Sequence, residues 1–375
     1  MRKPSENSAR SLIVVGAGGN IGSHLVPHLG RMRAVEQVTL IDRDVYEQAN
    51  LYSQCITPID VGKSKADVQA RILRRINPQL QVTAIKTGVE NLPLGRLRAD
   101  LILACLDTRG ARQYVNQAAW RLGMPWIDAG VEAGGLLARI NVYLPGPDNP
   151  CLECAWDHRD YDALEQTYPC VDFVEEAFPT NAPSSLGALA ASLQAIECEK
   201  LLTGRIGRVA VSQQVLIDAA HHKHYVTAFR RNPYCRFSNH QVWSIEKLDR
   251  RAGELTIGQA LGLGRCGTPG QKDSPGLRVE GKRFVRKLIC GGCGRTKSLL
   301  CLKTSLRASQ QTCAVCGHAL VTAGPDLLER LNATVLSQRQ LGRTLASIGI
   351  RRGEVLSIGD RSGETHFEIC GDARA

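Results

Sequence analysis

A glycine-rich turn between two apolar runs constrains the fold of this chain more than any other feature. The first run, residues 12–15, leads into four glycines spread over residues 16–22 and then into a helix-like segment at 25–33. The second run, residues 38–41, ends at Asp42. This order of strand, turn, helix, strand and acid is typical of the nucleotide-binding half of a doubly wound sheet, where small residues let backbone N–H groups approach a phosphate. We therefore predict an α/β chain that binds a nucleotide.

The turn alone does not identify the nucleotide. Gly16, Gly18 and Gly22 form a G-x-G-x-x-x-G pattern, with Gly19 between them, and this pattern is one residue longer than the usual dinucleotide fingerprint. ATP and NAD are both compatible with it, and a turn that needs glycine only for close packing is a third alternative. Asp42, at the end of the second run, is placed to accept hydrogen bonds from a ribose.

Composition narrows the class of protein. The 375 residues are enough for two or three domains, and their net charge of +11 comes from scattered basic residues, so nucleic acid is not the expected partner. No apolar run approaches the roughly 20 residues of a membrane helix, and the first residues lack the apolar stretch of a signal peptide. We expect a cytoplasmic protein without a membrane partner, whose 14 cysteines serve mainly as metal ligands.

Two later residues favour ATP over NAD. Lys65 begins a predicted helix that ends before Pro78, and Asp107 follows the apolar run 101–106. Uninterrupted apolar runs are typical of parallel strands covered on both faces, and the carboxyl ends of such strands meet at one edge. A cation and a carboxylate there suit ATP, whose phosphate charge is offset by Lys or Arg and by Mg²⁺. An NAD oxidoreductase would leave both residues unexplained.

With these residues in place, the segment from about 11 to 240 resembles the adenylyltransferase superfamily of ubiquitin-activating enzymes and of ThiF- and MoeB-type activators of sulfur-carrier proteins. The resemblance implies a Rossmann-like sheet, ATP and Mg²⁺ as cofactors, and a homodimer. It also implies adenylation of the C-terminal glycine of a ubiquitin-like protein. The matching positions are Gly16, Gly18, Gly19 and Gly22 of the phosphate loop, the ribose acid Asp42, Asp44, Asn50, Gln54, Lys65, the Mg²⁺-associated Asp107, Arg112 and Asn116.

The chain departs from the family at two arginines. The family motif N-L-x-R-Q has its arginine replaced here by Ser53, and the candidates to replace that phosphate contact are Arg71, Arg109 and Arg112. The family's long N-terminal helix, which lends an arginine to the neighbouring subunit, corresponds to about ten residues before the first run. Arg2 and Arg10 are the candidates there.

A first metal site is expected around residue 150. Cys151 and Cys154 form a C-x₂-C knuckle, whose counterpart in the resembled family pairs with a second C-x₂-C downstream to bind structural Zn²⁺. Ser238 replaces the last cysteine of that downstream pair, so we predict that Cys235 and His240 complete a Cys₃His site. The alternative is a buried cysteine beside an exposed histidine.

A second metal site follows near the C-terminus. Two C-x₂-C pairs separated by 19 residues, each followed by glycine, predict a zinc ribbon with four thiolate ligands: Cys290, Cys293, Cys313 and Cys316. We expect an adenylation domain at residues 1–240, which includes a crossover segment at 155–183 and the first metal site. A connection and linker are expected at 241–282 and a zinc-ribbon domain at 283–375. Residues 327–336 are predicted to form a helix and 348–358 a turn and strand. The ribbon is expected to dock a protein partner rather than nucleic acid.

One thiol outside both metal sites is a candidate nucleophile. Cys170 lies in the polar crossover segment, where the thioester cysteine of compact members of the resembled family lies, and Cys55 is the alternative. Cys105 and Cys198 fall in apolar segments and are predicted to be core residues. The resemblance thus implies a thioester at Cys170 and transfer to a conjugating enzyme, in a pathway similar to bacterial antiphage ubiquitin-like conjugation. Activation of a sulfur carrier without a thioester, or a catalytically weak scaffold, are the alternatives.

Overall fold

The computed structural model describes residues 10–165, 182–237, 240–264, 275–322, 324–360 and 363–371. These residues form two compact units. The first unit contains residues 10–92, 97–164 and 182–242, and the second contains mainly residues 243–371. Every helix in the described ranges is too short or too polar to cross a bilayer.

An eight-stranded sheet organises the first unit. Its spatial order is β3-β2-β1-β4-β5-β6-β7-β8. The first five strands in this order run parallel, and β6, β7 and β8 continue the sheet in antiparallel pairs. The strands are β1 (Arg10–Val15), β2 (Val35–Ile41), β3 (Gln81–Ile85), β4 (Leu101–Ala104), β5 (Trp126–Glu132), β6 (Leu137–Tyr143), β7 (Gln213–Asp218) and β8 (Lys223–Ala228). The large, mainly parallel sheet of the predicted fold class is therefore confirmed.

Five helices accompany this sheet in the described part of the first unit. They are α1 (Asn20–Leu29), α2 (Lys65–Ile76), α3 (Arg109–Leu122), α4 (His158–Glu165) and α5 (Ser184–Leu202). Helix α5 packs against α1 and over β5 and β6, so that the strands and these helices share one buried apolar core. Because β2 and β4 flank β1 on opposite sides, strand order reverses at β1, and ligands of open α/β sheets bind outside the carboxyl ends of the strands at such a point.

The second unit contains two smaller sheets. A five-stranded sheet has the order β15-β10-β16-β17-β9, and β11 pairs with β12, β13 and β14 in the other. The strands are β9 (Ile245–Leu248), β10 (Gly276–Val279), β11 (Phe284–Cys290), β12 (Thr296–Leu302), β13 (Leu320–Val321), β14 (Leu327–Leu328), β15 (Leu331–Asn332), β16 (Val355–Asp360) and β17 (Gly363–Ile369). The described residues of this unit also form two short helices, α6 (Ile257–Leu261) and α7 (Gln338–Leu341).

Two parts of this unit differ from the sequence-based expectations. The helix predicted at 327–336 is wrong, because Leu327–Leu328 and Leu331–Asn332 form strands that pair with β11 and β10. Segment 241–282, interpreted as a connection and linker, contains β9, α6 and β10, whose apolar side chains lie in the core of the second unit. The turn and strand expected at 348–358 correspond to a left-handed Gly349 and to β16.

Candidate functional site

The turn between β1 and α1 needs glycine at two positions for different reasons. Gly16 has a φ of +76°, and a Cβ there would lie 2.3 Å from the carbonyl oxygen of Cys105. Gly22 lies in the first turn of α1, and its Cβ would lie 2.1 Å from the carbonyl oxygen of Gly16. The last glycine of the irregular pattern therefore allows the helix to pack directly on the turn.

Asp42 is bonded to the backbone of this turn. Its Oδ2 accepts a hydrogen bond from the N–H of Gly18 at 2.8 Å, and its Oδ1 accepts one from the N–H of Asp44 at 3.0 Å. The residue is 8% exposed, and burial raises the pKa of its carboxyl despite these two bonds and the nearby Lys65. The acid that follows β2 is thus held beside the glycine turn, where the sequence places it.

Lys65 lies on the same side of the turn. It is the first residue of α2, after the N-cap Ser64, whose hydroxyl accepts a hydrogen bond from the N–H of Asp67. Its Nζ lies 3.7 Å from Oδ2 of Asp44 and 5.7 Å from the ring centroid of Tyr46, and the residue is 8% exposed. A nearly buried ammonium therefore lies at the carboxyl end of β2.

Asn50 and Gln54 lie in and after a 3₁₀ helix, Gln48–Tyr52. The side-chain oxygen of Asn50 accepts a hydrogen bond from the N–H of Glu47 at 2.9 Å, as part of a capping box at the start of that helix. Gln54 has a buried Oε1 without a hydrogen-bond partner in the described residues. Asn50 thus shapes the segment between β2 and α2, and Gln54 retains an unused acceptor.

Asp107 and Arg112 follow the carboxyl end of β4 but differ in environment. Asp107 is exposed between β4 and α3. Arg112, in the first turn of α3, donates to the carbonyl oxygens of Leu106 and Ala129 and to Oδ2 of Asp128, the last at 3.2 Å. Arg112 is therefore held at this edge of the sheet, whereas Asp107 is accessible to a ligand. Asn116 is buried deeper in α3.

The arginines proposed to replace the one missing at Ser53 all have carboxylate partners. Arg71 pairs with the buried Asp60, Arg109 with Asp160 at 2.6 Å, and Arg112 with Asp128. Arg10 lies 3.5 Å from Asp100, and Arg2 lies outside the described residues. Among the described residues of this group, only Arg112 shares its carboxylate with a second arginine.

The first predicted metal cluster is assembled as proposed. The ligand atoms of Cys151, Cys154, Cys235 and His240 all lie within 4.8 Å of one another. Nε2 of His240 is 3.0 Å from Sγ of Cys151, and the sulfurs of Cys151 and Cys235 are 3.8 Å apart. Four ligands about 2.3 Å from a tetrahedral ion place sulfurs about 3.8 Å apart, so the donor set fits Zn²⁺. His240 adopts a φ of +48°, uncommon for a residue other than glycine, and is buried against Trp120 and Phe237.

The second predicted cluster is also assembled. The sulfurs of Cys290, Cys293, Cys313 and Cys316 lie within 4.8 Å of one another, with 3.3 Å between Cys290 and Cys316 and 3.7 Å between Cys293 and Cys313. The N–H groups of Gly292 and Cys293 donate to Sγ of Cys290 at 3.4 Å, which stabilises a thiolate. These donors also fit a closed tetrahedral Zn²⁺ site.

The cysteines outside the two clusters differ in exposure, and the two that were predicted to be core residues are buried. Cys105 and Cys198 are buried, and burial raises the pKa of Cys198 to about 12, so neither is a reactive thiol. Cys55 is exposed, and its N–H donates to the hydroxyl of Ser23 at 2.9 Å. Cys170 lies outside the described residues.

Sequence reasoning missed two buried carboxylates. Asp128 in β5 accepts hydrogen bonds from Arg112 and from Arg139 in β6, at 3.2 and 2.8 Å. Glu153, between Cys151 and Cys154, accepts bonds from the amide side chains of α3 and from the hydroxyl of Tyr161. The amide donors are Gln113, Asn116 and Gln117. The contacts of Asp128 with Arg139 depend on the register between β5 and β6, which the sequence patterns did not establish.

Comparison with known proteins supports the resemblance. The chain is 34% identical over 162 residues to ubiquitin-like modifier-activating enzyme 5 of Oryza sativa subsp. japonica, covering 39% of this chain and 37% of that protein. It is 30% identical over 248 residues to the sulfur carrier protein adenylyltransferase of Thermus thermophilus, covering 64% of this chain and 87% of that protein. The chain thus spans about two fifths of the length of the activating enzymes that it matches.

Solved structures show the same fold. E. coli MccB with ATP has a TM-score of 0.50 and 23% sequence identity over 61% of this chain and 65% of that chain. E. coli MccB with succinimide has a TM-score of 0.51 and 24% identity, covering 61% of this chain and 66% of that chain. Residues 6–237 match the ThiF family, which agrees with the segment expected from the sequence. The chain therefore belongs to the ThiF family.

Proposed function

We propose that this protein uses ATP to adenylate the C-terminal carboxylate of a ubiquitin-like protein. The observation that carries the proposal is the surroundings of the glycine turn, at the point where strand order reverses: Asp42 accepts a hydrogen bond from Gly18, Lys65 packs against Gly18, and Asp107 follows β4, the strand beside β1. In this reaction a carboxylate oxygen attacks the α-phosphorus, an acyl-adenylate forms, and pyrophosphate leaves. The named relatives, an activating enzyme and an adenylyltransferase, support this class of reaction.

The described residues supply the main requirements of this chemistry. The N-terminus of α1, which begins directly after the turn, would approach the phosphates, Asp42 would accept from the ribose, and Lys65 would offset phosphate charge. Asp107 is an exposed carboxylate of the kind that holds Mg²⁺ together with phosphate oxygens, and Mg²⁺ when bound would neutralise charge on the leaving pyrophosphate. The two cysteine-containing clusters would each hold a structural Zn²⁺.

The steps after adenylation are also proposals. We place the thioester at Cys170: its thiolate attacks the acyl carbon, the thioester bond forms, and AMP leaves. The ubiquitin-like protein then passes to a conjugating enzyme, in a pathway similar to bacterial antiphage conjugation, and the active form is a homodimer. The thioester step rests on the resemblance of the segment around Cys170 to the crossover of compact activating enzymes. The pathway rests on the pairing of an activating core with a cysteine-rich C-terminal extension, and the homodimer on the family resemblance.

Pyrophosphate exchange tests the adenylation step. The full chain is incubated with ATP, Mg²⁺, labelled pyrophosphate and each glycine-terminated ubiquitin-fold protein encoded beside it. We expect label to enter ATP with one such carrier and the exchange to be lost in Lys65→Ala and in Asp107→Ala, with Arg205→Gln as an exposed control. Absence of exchange with every carrier would favour a scaffold without catalysis, whereas full exchange in Asp107→Ala would overturn the role of Asp107.

A second assay separates the two activating-enzyme functions. With the same carrier, a thiol-reducible adduct should form, disappear in Cys170→Ala, and persist in Cys55→Ala, while exchange continues in both variants. The sulfur-carrier alternative is favoured by the relative that the chain covers to 87% of its length. It predicts exchange without an adduct, together with indifference to Cys170→Ala.

A further inference from the structure

Three charged side chains of the first unit lie together on β5, β6 and α3, and two of them are positive while one is negative. Arg112 from α3 and Arg139 from β6 both donate to Oδ2 of Asp128 in β5, at 3.2 and 2.8 Å. Nη1 of Arg139 also donates to the side-chain oxygen of Asn141 at 2.7 Å. The side chain of Asp128 is fully buried, so its orientation is fixed. We call Arg112, Asp128 and Arg139 the arginine cluster.

The arginine cluster has two guanidinium groups for one carboxylate. Arginine stays protonated in proteins, so the cluster carries one positive charge that no side chain within it offsets. The side chain of Arg139 is 27% exposed and that of Arg112 is 13% exposed. No hydrogen bond joins Nε or Nη2 of Arg139 to any described residue, and Nε of Arg112 is buried without a partner. Since a poorly solvated cation is costly unless paired, this arrangement suits an anionic ligand.

Register across the sheet gives the position of the cluster. Val15, Ala104 and Asp128 are successive partners on β1, β4 and β5, and Asn141 is the next partner on β6. Neighbouring strands lie about 4.8 Å apart, so Asp128 lies about 10 Å from the strand that leads into the glycine turn. The arginine cluster and the turn therefore lie along one edge, within reach of a single bound complex.

The cations on the two sides of the turn face different parts of such a complex. Lys65 and Asp42 lie on the β2 side, which serves the nucleoside and its phosphates. The arginine cluster lies on the β5 and β6 side, where Arg112 is a candidate for a phosphate contact and Arg139 has no role assigned to it. A group that attacks the α-phosphate has to approach from outside the nucleotide, and its carboxylate is itself an anion that requires a counter-ion.

We propose that Arg139, together with Arg112, binds the C-terminal carboxylate of the protein that is adenylated. This inference rests on the proposed function. A guanidinium group matches the two oxygens of a carboxylate and holds them in a fixed orientation, which brings the attacking oxygen to phosphorus in one geometry. Asp128 is a positioning residue, since it contacts both arginines and is too deeply buried to contact the ligand itself.

The test compares carriers that differ only in the terminal charge. The carrier that supports pyrophosphate exchange is prepared with a free C-terminal carboxylate and with a C-terminal carboxamide. Binding of each is measured by calorimetry with α,β-methylene-ATP, which cannot release pyrophosphate. For the wild type, the carboxylate form should bind at least about tenfold more tightly than the carboxamide form. In Arg139→Gln this preference should disappear, while Arg205→Gln keeps it.

Two further variants sharpen the assignment. Arg139→Lys keeps the charge but loses the fork, so it should retain part of the preference for the carboxylate. Asp128→Asn should reduce the preference without removing either arginine. A thermal unfolding midpoint equal to that of the wild type shows that a variant is folded. If Asp128→Asn does not fold, the result for Arg139→Gln alone tests the carboxylate assignment.

The outcomes separate the inference from the proposed function. If the wild type shows no exchange with any carrier, the proposed function fails. If exchange occurs but Arg139→Gln weakens both carrier forms equally, or neither, the carboxylate assignment is overturned. If Arg139→Gln instead weakens binding of α,β-methylene-ATP in the absence of carrier, the cluster serves the phosphates.

Discussion

At the scale of single residues, the contact between the glycine turn and α1 predicts that alanine is tolerated at Gly19 but destabilises the fold at Gly22. A Cβ on Gly22 would overlap the carbonyl oxygen of Gly16, whereas the nearest atom to a Cβ on Gly19 is 3.6 Å away. We expect Gly22→Ala to lower the free energy of unfolding by about 1–3 kcal/mol, as overpacking does, and Gly19→Ala to leave it nearly unchanged. Denaturant unfolding checks this, and equal losses would show that the turn adapts.

A second prediction for single residues concerns Asp60 and pH. Burial raises the pKa of Asp60, but bonds from Arg71 and Thr57 more than offset this effect, so the pKa lies below its usual value. The stability from this depressed pKa is fully present above the unfolded-state pKa, about 3.9, and is lost as pH falls through the folded-state pKa. The difference in unfolding free energy between wild type and Asp60→Asn should therefore shrink on acidification. The exposed Asp162→Asn should show no comparable trend.

Some residues of the candidate site could be predicted from the sequence, and others could not. Asp42 and Lys65 were predictable because each directly follows or begins an element whose edge is visible in the pattern. Arg139 was not, because its role depends on which residue of β5 lies beside it. The register pairs Asp128 with Asn141 and Gly130 with Arg139, and a shift of one residue would turn those side chains to the other face.

At the scale of elements, the four-cysteine cluster of the second unit predicts which cysteine changes affect metal content. Cys313 belongs to the four-thiol cluster, whereas the buried Cys301 in β12 lies outside it. We expect Cys313→Ser to lose one zinc ion per chain and to destabilise the strands β11 to β13, because the energy of metal binding contributes to folding of such small sheets. Cys301→Ala should keep the full zinc content. Elemental analysis measures both, and retention of zinc in Cys313→Ser would contradict the assignment.

The strands β14 and β15 show why some elements could not be predicted. Residues 327–336 contain leucines at spacings that suit a helix, but short apolar runs do not distinguish helices from buried strands. Two-residue strands are defined by their partners, here β11 and β10, which are distant in sequence. The strands β1 and β4 were predictable because each contains a continuous apolar run that leads to a glycine turn or an acid.

At the scale of the whole molecule, the two units have separate hydrophobic cores, and every described nucleotide-site residue lies in the first. We therefore expect Cys313→Ser, which damages the second unit, to bind ATP with wild-type affinity. A matched change in the first unit, Cys235→Ser, should lose the other zinc ion and destabilise the first unit. Calorimetric titration with ATP and Mg²⁺ measures this, and a loss of affinity in Cys313→Ser would show that the units depend on each other.

One feature of α3 has an evolutionary consequence. Its amide side chains at 113, 116 and 117 all donate to Glu153 between the first two cysteines, and Arg112 on the same helix reaches Asp128. If a related chain lost these cysteines, selection would no longer retain the buried carboxylate of Glu153. Without that carboxylate, the amides would have no acceptor. We expect homologues to gain or lose the cysteine pair, the acid and the amides together. A family alignment would then show one set of residues, inherited together, that extends from the first cysteine cluster to the candidate nucleotide site.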